Sequence, residues 1–177
     1  LARINHSCRP NVNHTWRKDM QKTLVFATRN IAAGEELFTS YGPSECLDTA
    51  GRRSYLSEGF SFHCMCDMCS EDDGGAGDAR MVKLHDLHAS LPNMVRQGQH
   101  QRAIQVIDQC IALLHEQGIG SGVFTMPLLN YGYQVALMGL KDKYLARAYL
   151  EKQIVAVTQC EGVGCPEALR LGLLLAN

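Results

Sequence analysis

The chain has 177 residues, enough for one domain or two small ones with a real core. Hydrophobic content of 46% with 20% charged residues is ordinary for a globular protein, and a formal net charge of −1 excludes strong nonspecific nucleic-acid binding, which needs a basic surface. No apolar run approaches the ~20 residues of a membrane span, and no basic segment followed by an apolar one marks a secretory signal.

The chain begins at Leu1 rather than Met, inside what reads as an ordered segment, so a fragment of a longer protein is expected. Its first forty residues read as β structure. "NVNHTW" (11–16) alternates and places Val12, His14 and Trp16 on one face, expected to be the core face. "TLVFATR" (23–29) is a short apolar run before the turn-like "NIAAGEE", and "ELFTSY" (36–41) is a third strand stopped by Gly42-Pro43. From Ser44, "SECLDTAGRRSYLSE" reads as a helix weakened by Gly51.

"CMCDMC" then packs three cysteines into residues 64–69, and "SEDDGGAGD" (70–78) follows. The second stretch is acidic, glycine-rich and unable to bury surface, so residues 71–78 are expected to be a flexible linker between units at 1–70 and 79–177. Beyond it the pattern is helical. Ala103, Val106, Ile107, Cys110, Ile111 and Leu114 form one apolar stripe, and Ala146, Tyr149, Leu150 and Val157 repeat the idea in residues 142–159. "FTMPLLNYGYQVALMGL" lies between, and "PEALRLGLLLA" opens with proline at a first helical position. The overall class is therefore α+β: a β-rich first part and an all-α second part. Small residues and tyrosines at crossing positions resemble tetratricopeptide packing, although no clean 34-residue repeat is present.

Cys64, Cys66 and Cys69 form C-x-C-x2-C, three soft ligands within six residues. Zinc takes four in a tetrahedron. The fourth must come from elsewhere, with His63, Cys46 and Cys8 as candidates; the remaining scattered cysteines read as core. Cys8 itself sits in a polar loop, "INHSCRPN", where a cysteine is rarely there for packing.

Taken together, "INHSCRPN", "AAGEELFTSYG" and "FSFHCMCDMC" resemble the C-terminal half of a SET-domain lysine methyltransferase with its post-SET zinc motif. The order fits best the group that joins a SET domain to a MYND finger and a C-terminal helical region. The resemblance covers residues 1 to 70. It implies that Cys8 joins Cys64, Cys66 and Cys69 as the fourth zinc ligand. It also implies S-adenosylmethionine as methyl donor, with Asn5 contacting the donor through its side chain and His6 through its backbone at the adenine edge. Phe62 would lie against the adenine ring. Tyr41 would be the catalytic tyrosine, holding the target amine at the junction of donor and substrate, and Phe60 stands where many relatives have tyrosine.

The same resemblance places a glycine-rich donor-binding segment and a MYND finger before Leu1. It implies a protein substrate offering a lysine, a partner surface on the helices, no membrane, and residence in nucleus or cytoplasm. Two rival functions are a non-catalytic SET remnant, zinc-stabilised and presenting its helices to a partner, and a zinc-finger nucleic-acid binder. The second lacks another C-x2-C or H-x3-H pair and has acidic flanks.

Overall fold

The computed structural model describes residues 3–42, 47–120 and 122–176. Among the described residues, four short strands come first: β1 Asn5–His6, β2 Val12–Arg17, β3 Lys22–Ala27 and β4 Phe38–Thr39. The helices that follow are α1 Thr49–Phe60, α2 Asp67–Ser70, α3 Ala76–Arg96, α4 His100–Glu116, α5 Gly122–Gln134, α6 Lys143–Glu161 and α7 Pro166–Ala176. A π-helical segment, Val135–Leu140, continues α5.

β1 runs parallel to β4, with Asn5 opposite Phe38 and His6 opposite Thr39. The connection from β1 to β2 is tied to the same strand, through Ser7 N–H to Thr39 C=O and Asn11 N–H to Phe38 C=O, both at 3.1 Å. Asn11 does more than form a turn. Its wholly buried amide donates to Glu35 Oε1 at 3.0 Å and to the Glu36 carbonyl at 2.8 Å, and its Oδ1 accepts from Phe38 N–H at 2.7 Å. A buried amide with both ends engaged has its desolvation cost offset and fixes the loop against β4.

β2 and β3 form an antiparallel hairpin, turning through Gln21 at φ 51°. Here the expected core face is corrected. Val12 is buried, but His14 is exposed and Trp16 is 58% exposed. The alternation is real, yet α6 covers the opposite face. Asn13 Nδ2 donates to the Cys160 carbonyl at 3.0 Å, and Phe26 lies so near Gly162 that a Cβ there would sit 2.6 Å from its ring.

The helices from α3 onward pack on their chain neighbours in series. The stripe expected on α4 is buried at Ala103, Val106, Ile107, Cys110 and Leu114, with Ile111 half-buried. On α6, Ala146, Tyr149, Leu150 and Val157 are all buried, and Asp142 caps the helix by accepting from Leu145 N–H at 2.9 Å. α5 and α6 approach closely because α5 offers glycines. A Cβ at Gly122 would lie 2.4 Å from the Ala156 carbonyl, and one at Gly132 would lie 2.5 Å from the Tyr149 ring. Among the described residues, no helix is long and apolar enough to cross a membrane.

The segment expected to be a linker, residues 71–78, is partly helical. Residues 76–78 are already in α3, and three of the four carboxylates there are bonded although residues 71–76 are exposed. Glu71 pairs with Arg9 at 2.6 Å, Asp73 with Arg80 at 3.3 Å, and Asp78 accepts from both the amide and the hydroxyl of Thr49 at 2.8 Å. One buried cluster runs across the expected boundary, from Cys8, Leu56, Cys64, Met68 and Cys69 to Met81, Leu84 and the α4 stripe. The two units share a core.

Candidate functional site

Three chain segments converge. The first is the loop after β1. The second is the end of β4 at Tyr41. The third is the turn from α1 into the cysteine run, at the far end of a helix whose start is capped by Asp48 accepting from Gly51 N–H at 2.8 Å. α1 ends at Ser61 in a left-handed conformation (φ 58°), a C-cap that reverses the chain just before Phe62 and Cys64.

Cys8, Cys64, Cys66 and Cys69 come together with their sulfurs all within 4.8 Å of one another. Cys8 Sγ lies 3.6 Å from Cys69 Sγ, and Cys8 N–H points to Cys66 Sγ at 3.5 Å, across 58 residues of sequence. A tetrahedral zinc with Zn–S of about 2.3 Å needs sulfurs roughly 3.8 Å apart, so the four-cysteine set fits that ion. Of the other candidates, His63 is exposed and outside the cluster, and Cys46 lies outside the described residues. Cys110, Cys160 and Cys165 are buried in the core.

The thiols perturb one another strongly. Hydrogen bonds to Cys66 and Cys69, together with burial, hold the Cys8 thiol far above its ordinary range. Burial pushes Cys64 up to about 11, and hydrogen bonds from Cys69 and Cys8 hold Cys66 well below the usual thiol value.

Two neighbouring arginines were invisible as site residues in the sequence. Arg52 is 5% exposed, and it donates to the Leu47 carbonyl at 2.6 Å, to Thr49 Oγ1 at 2.8 Å and to Cys69 Sγ at 3.7 Å. Arg53 donates to the Cys64 carbonyl at 3.1 Å and the Cys69 carbonyl at 2.9 Å, clamping the cysteine run to α1. A buried guanidinium beside clustered sulfurs is electrostatically apt once they carry negative charge. No sequence pattern separates it from a solvated arginine.

On the other side of the cysteines stands an aromatic cluster. The Tyr41 ring is 5.0 Å from Phe60, 5.4 Å from His6 and, edge-on, 6.3 Å from Phe62. Phe62 is half-buried and 5.9 Å from His6, while Phe60 is 46% exposed and lies 6.4 Å from Tyr55. Tyr41 Oη donates to the Ile4 carbonyl at 2.6 Å. The Tyr41 amide donates to His6 Nδ1 at 3.0 Å, and His6 Nε2 lies 3.3 Å from Cys8 Sγ. Burial lowers the His6 pKa and favours the neutral ring. Asn5 is exposed on β1, and its amide donates to Glu36 Oε1 at 2.7 Å. Of the residues singled out in the sequence, His6, Tyr41, Phe60 and Phe62 meet in one cluster beside the four cysteines. Asn5 sits one residue from it.

Glu35 braces this arrangement from outside. Arg29, the Ala32 amide and Asn11 hold its carboxyl down to about 2, from an ordinary 4.5. A depressed carboxyl contributes stability that is complete above 4.5 and lost as pH falls toward 2. Urea midpoints followed against pH are expected to decline over that window in the wild type and to be flatter in Glu35→Gln, which is also weaker at neutral pH. Parallel curves would mean that the Glu35 bonds do not persist in solution.

Comparison with known proteins bears on the same segments. Residues 2–42 match the SET domain family model. Across 99% of its length the chain is 27% identical to "Histone-lysine N-methyltransferase set5" of Schizosaccharomyces pombe, and it spans 55% of that protein. It is 35% identical over 86 residues to human "N-lysine methyltransferase SMYD2", which is 49% of this chain and 19% of that protein. Over 74 residues it is 36% identical to a "SET and MYND domain-containing protein" of Dictyostelium discoideum, covering 40% of this chain and 13% of that one. The chain thus spans about half of the fission-yeast relative and a fifth or less of the other two. Its β-rich segment matches the SET domain model, and its likeness is to SET-domain lysine methyltransferases near the SET-and-MYND group.

Proposed function

We propose that this chain forms the C-terminal half of the catalytic region of an S-adenosylmethionine-dependent protein-lysine N-methyltransferase. In this reading it carries a structural zinc on Cys8, Cys64, Cys66 and Cys69. The observation that supports it best is the meeting of Tyr41 with His6, Phe60 and Phe62 directly against the four cysteines.

When bound, the donor supplies a methyl group on a sulfonium, open to displacement by nitrogen. The chain's own residues prepare the other partner. A lysine must be neutral to attack, and its reference pKa of ~10.4 makes proton loss cost roughly 4 kcal/mol at pH 7.5. A channel dried by Tyr41, Phe60 and Phe62 beside a cationic donor would disfavour the ammonium and lower that cost. Tyr41 Oη donates its proton to the Ile4 carbonyl, so its lone pairs remain to accept from the amine and aim it. Alignment of this kind supplies much of the rate in a displacement that uses no acid–base pair.

Asn5, at the exposed end of β1, is assigned to the donor through its side chain, and His6 is assigned to it through its backbone. Phe62 is assigned to the adenine face. Phe60, lacking a hydroxyl, is assigned to the lysine channel, where it affects how many methyl groups are added. The helices from α3 onward, tetratricopeptide-like in their serial packing, are assigned to a protein partner, with the substrate a nuclear or cytoplasmic protein.

The test is donor binding by calorimetry, and methyl transfer to lysine peptides by mass spectrometry, in the protein with its N-terminal SET segment present. Both are expected. Zinc content with neither binding nor transfer would instead support a non-catalytic remnant that displays the helices.

A further inference from the structure

We infer that the His6 side chain is a positioning residue, a rigid tie between the cysteine cluster and the main chain at Tyr41. The tautomer follows from the contacts. Tyr41 N–H donates to Nδ1 at 3.0 Å, so Nδ1 carries a lone pair and the proton of the neutral ring sits on Nε2. Nε2 lies 3.3 Å from Cys8 Sγ, which makes the second contact an N–H···S hydrogen bond with the sulfur as acceptor.

The ring has little freedom to do anything else. His6 is 8% exposed, and its ring packs against those of Tyr41 at 5.4 Å and Phe62 at 5.9 Å, which are also in contact with each other. Its backbone is held opposite Thr39 by the β1–β4 pairing. The inference rests on the zinc and methyl-transfer reading above. With metal bound, Cys8 is a fixed thiolate that accepts one hydrogen bond from His6, as Cys69 does from Arg52 at 3.7 Å. Such outer partners orient metal ligands and tune their donor strength. Here the same ring reaches in the other direction and fixes the amide of the proposed catalytic residue. Metal occupancy is thereby transmitted to Tyr41 through one side chain.

Two substitutions separate the two ends, because an asparagine amide reaches where Nδ1 stood and a glutamine amide reaches where Nε2 stood. In the zinc- or cobalt(II)-loaded chain, His6→Asn is expected to keep the Tyr41 contact and lose the one to Cys8. Zinc affinity then drops by about tenfold, within the 10–100-fold range of outer-partner losses, and the sulfur-to-cobalt absorption moves to lower energy. His6→Gln is expected to leave affinity and absorption unchanged while the Tyr41 amide resonance shifts and its hydrogen exchange accelerates. In the wild type, ring nitrogen spectra should show protonated Nε2, and removing zinc should move the Tyr41 amide resonance.

A protonated Nδ1, a Tyr41 amide indifferent to zinc, or a cobalt absorption unmoved in His6→Asn would each overturn the tie. The two wild-type measurements decide the matter if either variant does not fold. None of these readouts depends on turnover, so failure of the methyltransferase reading would appear separately, as absent transfer with the spectra intact.

Discussion

Cys8→Ser is expected to release zinc about as readily as Cys66→Ser, although Cys8 lies 58 residues from Cys66 in sequence. Purified wild-type chain should hold one zinc, and each variant should lose more affinity than the 10–100-fold attached to outer partners. Folding should suffer in parallel, because a site assembled from distant segments turns metal-binding energy into folding energy, on the order of 10 kcal/mol for small structural zinc sites.

The pH dependence has a definite sign. Zinc requires thiolates, and in the metal-free cluster Cys8 is held far up and Cys64 at about 11. Loading must therefore displace protons, and retention must fall as pH falls. Elemental analysis after dialysis at stepped pH, with thermal melting alongside, measures both. Full zinc in the Cys8→Ser protein would show that the loop is not a ligand segment, and would return attention to His63 or Cys46.

Tyr41→Phe is the second large effect. In the protein with a complete donor site, donor affinity should stay within a few-fold, while single-turnover methyl transfer should drop by roughly one to three decades. That corresponds to about 1.4–4 kcal/mol of lost alignment and polar stabilisation. The Ile4 carbonyl also loses its donor, at a cost of about 1 kcal/mol to stability. Asn5→Ala should do the reverse, weakening donor binding because that amide is assigned to the donor itself. Wild-type turnover in Tyr41→Phe would reduce this residue to strand-end packing.

How much of this was legible in the sequence varies from residue to residue. The apolar stripe of α4 and the buried face of α6 follow from helical periodicity alone, because one face of a helix must be covered. Cys8 was flagged by chemistry, a thiol in a polar loop, and given partners by resemblance; the geometry brings those four sulfurs together. His14 and Trp16 were misplaced because alternation reveals two faces without saying which one a later helix, here α6, will cover. At residues 71–78, composition could not register that Arg9, Thr49 and Arg80 stand ready for the carboxylates of Glu71, Asp78 and Asp73. The His6 ring and the Arg52 guanidinium act through contacts that exist only once strands and helices have met.

Arg9, the residue after Cys8, carries one further consequence. Its Nε donates to the Gln117 carbonyl at the end of α4 at 2.7 Å, and its Nη2 holds Glu71. Arg80 grips the Gln117 side chain at 2.7 Å. The loop expected to meet the donor and the C-terminal end of α4 are thus fastened to one another like two leaves on a locked hinge. Swinging the helices away to admit a bulky substrate would break these bonds together and leave Gln117, now 2% exposed, facing water. Under the proposed reading, a substrate lysine would therefore have to reach Tyr41 without α4 parting from this loop.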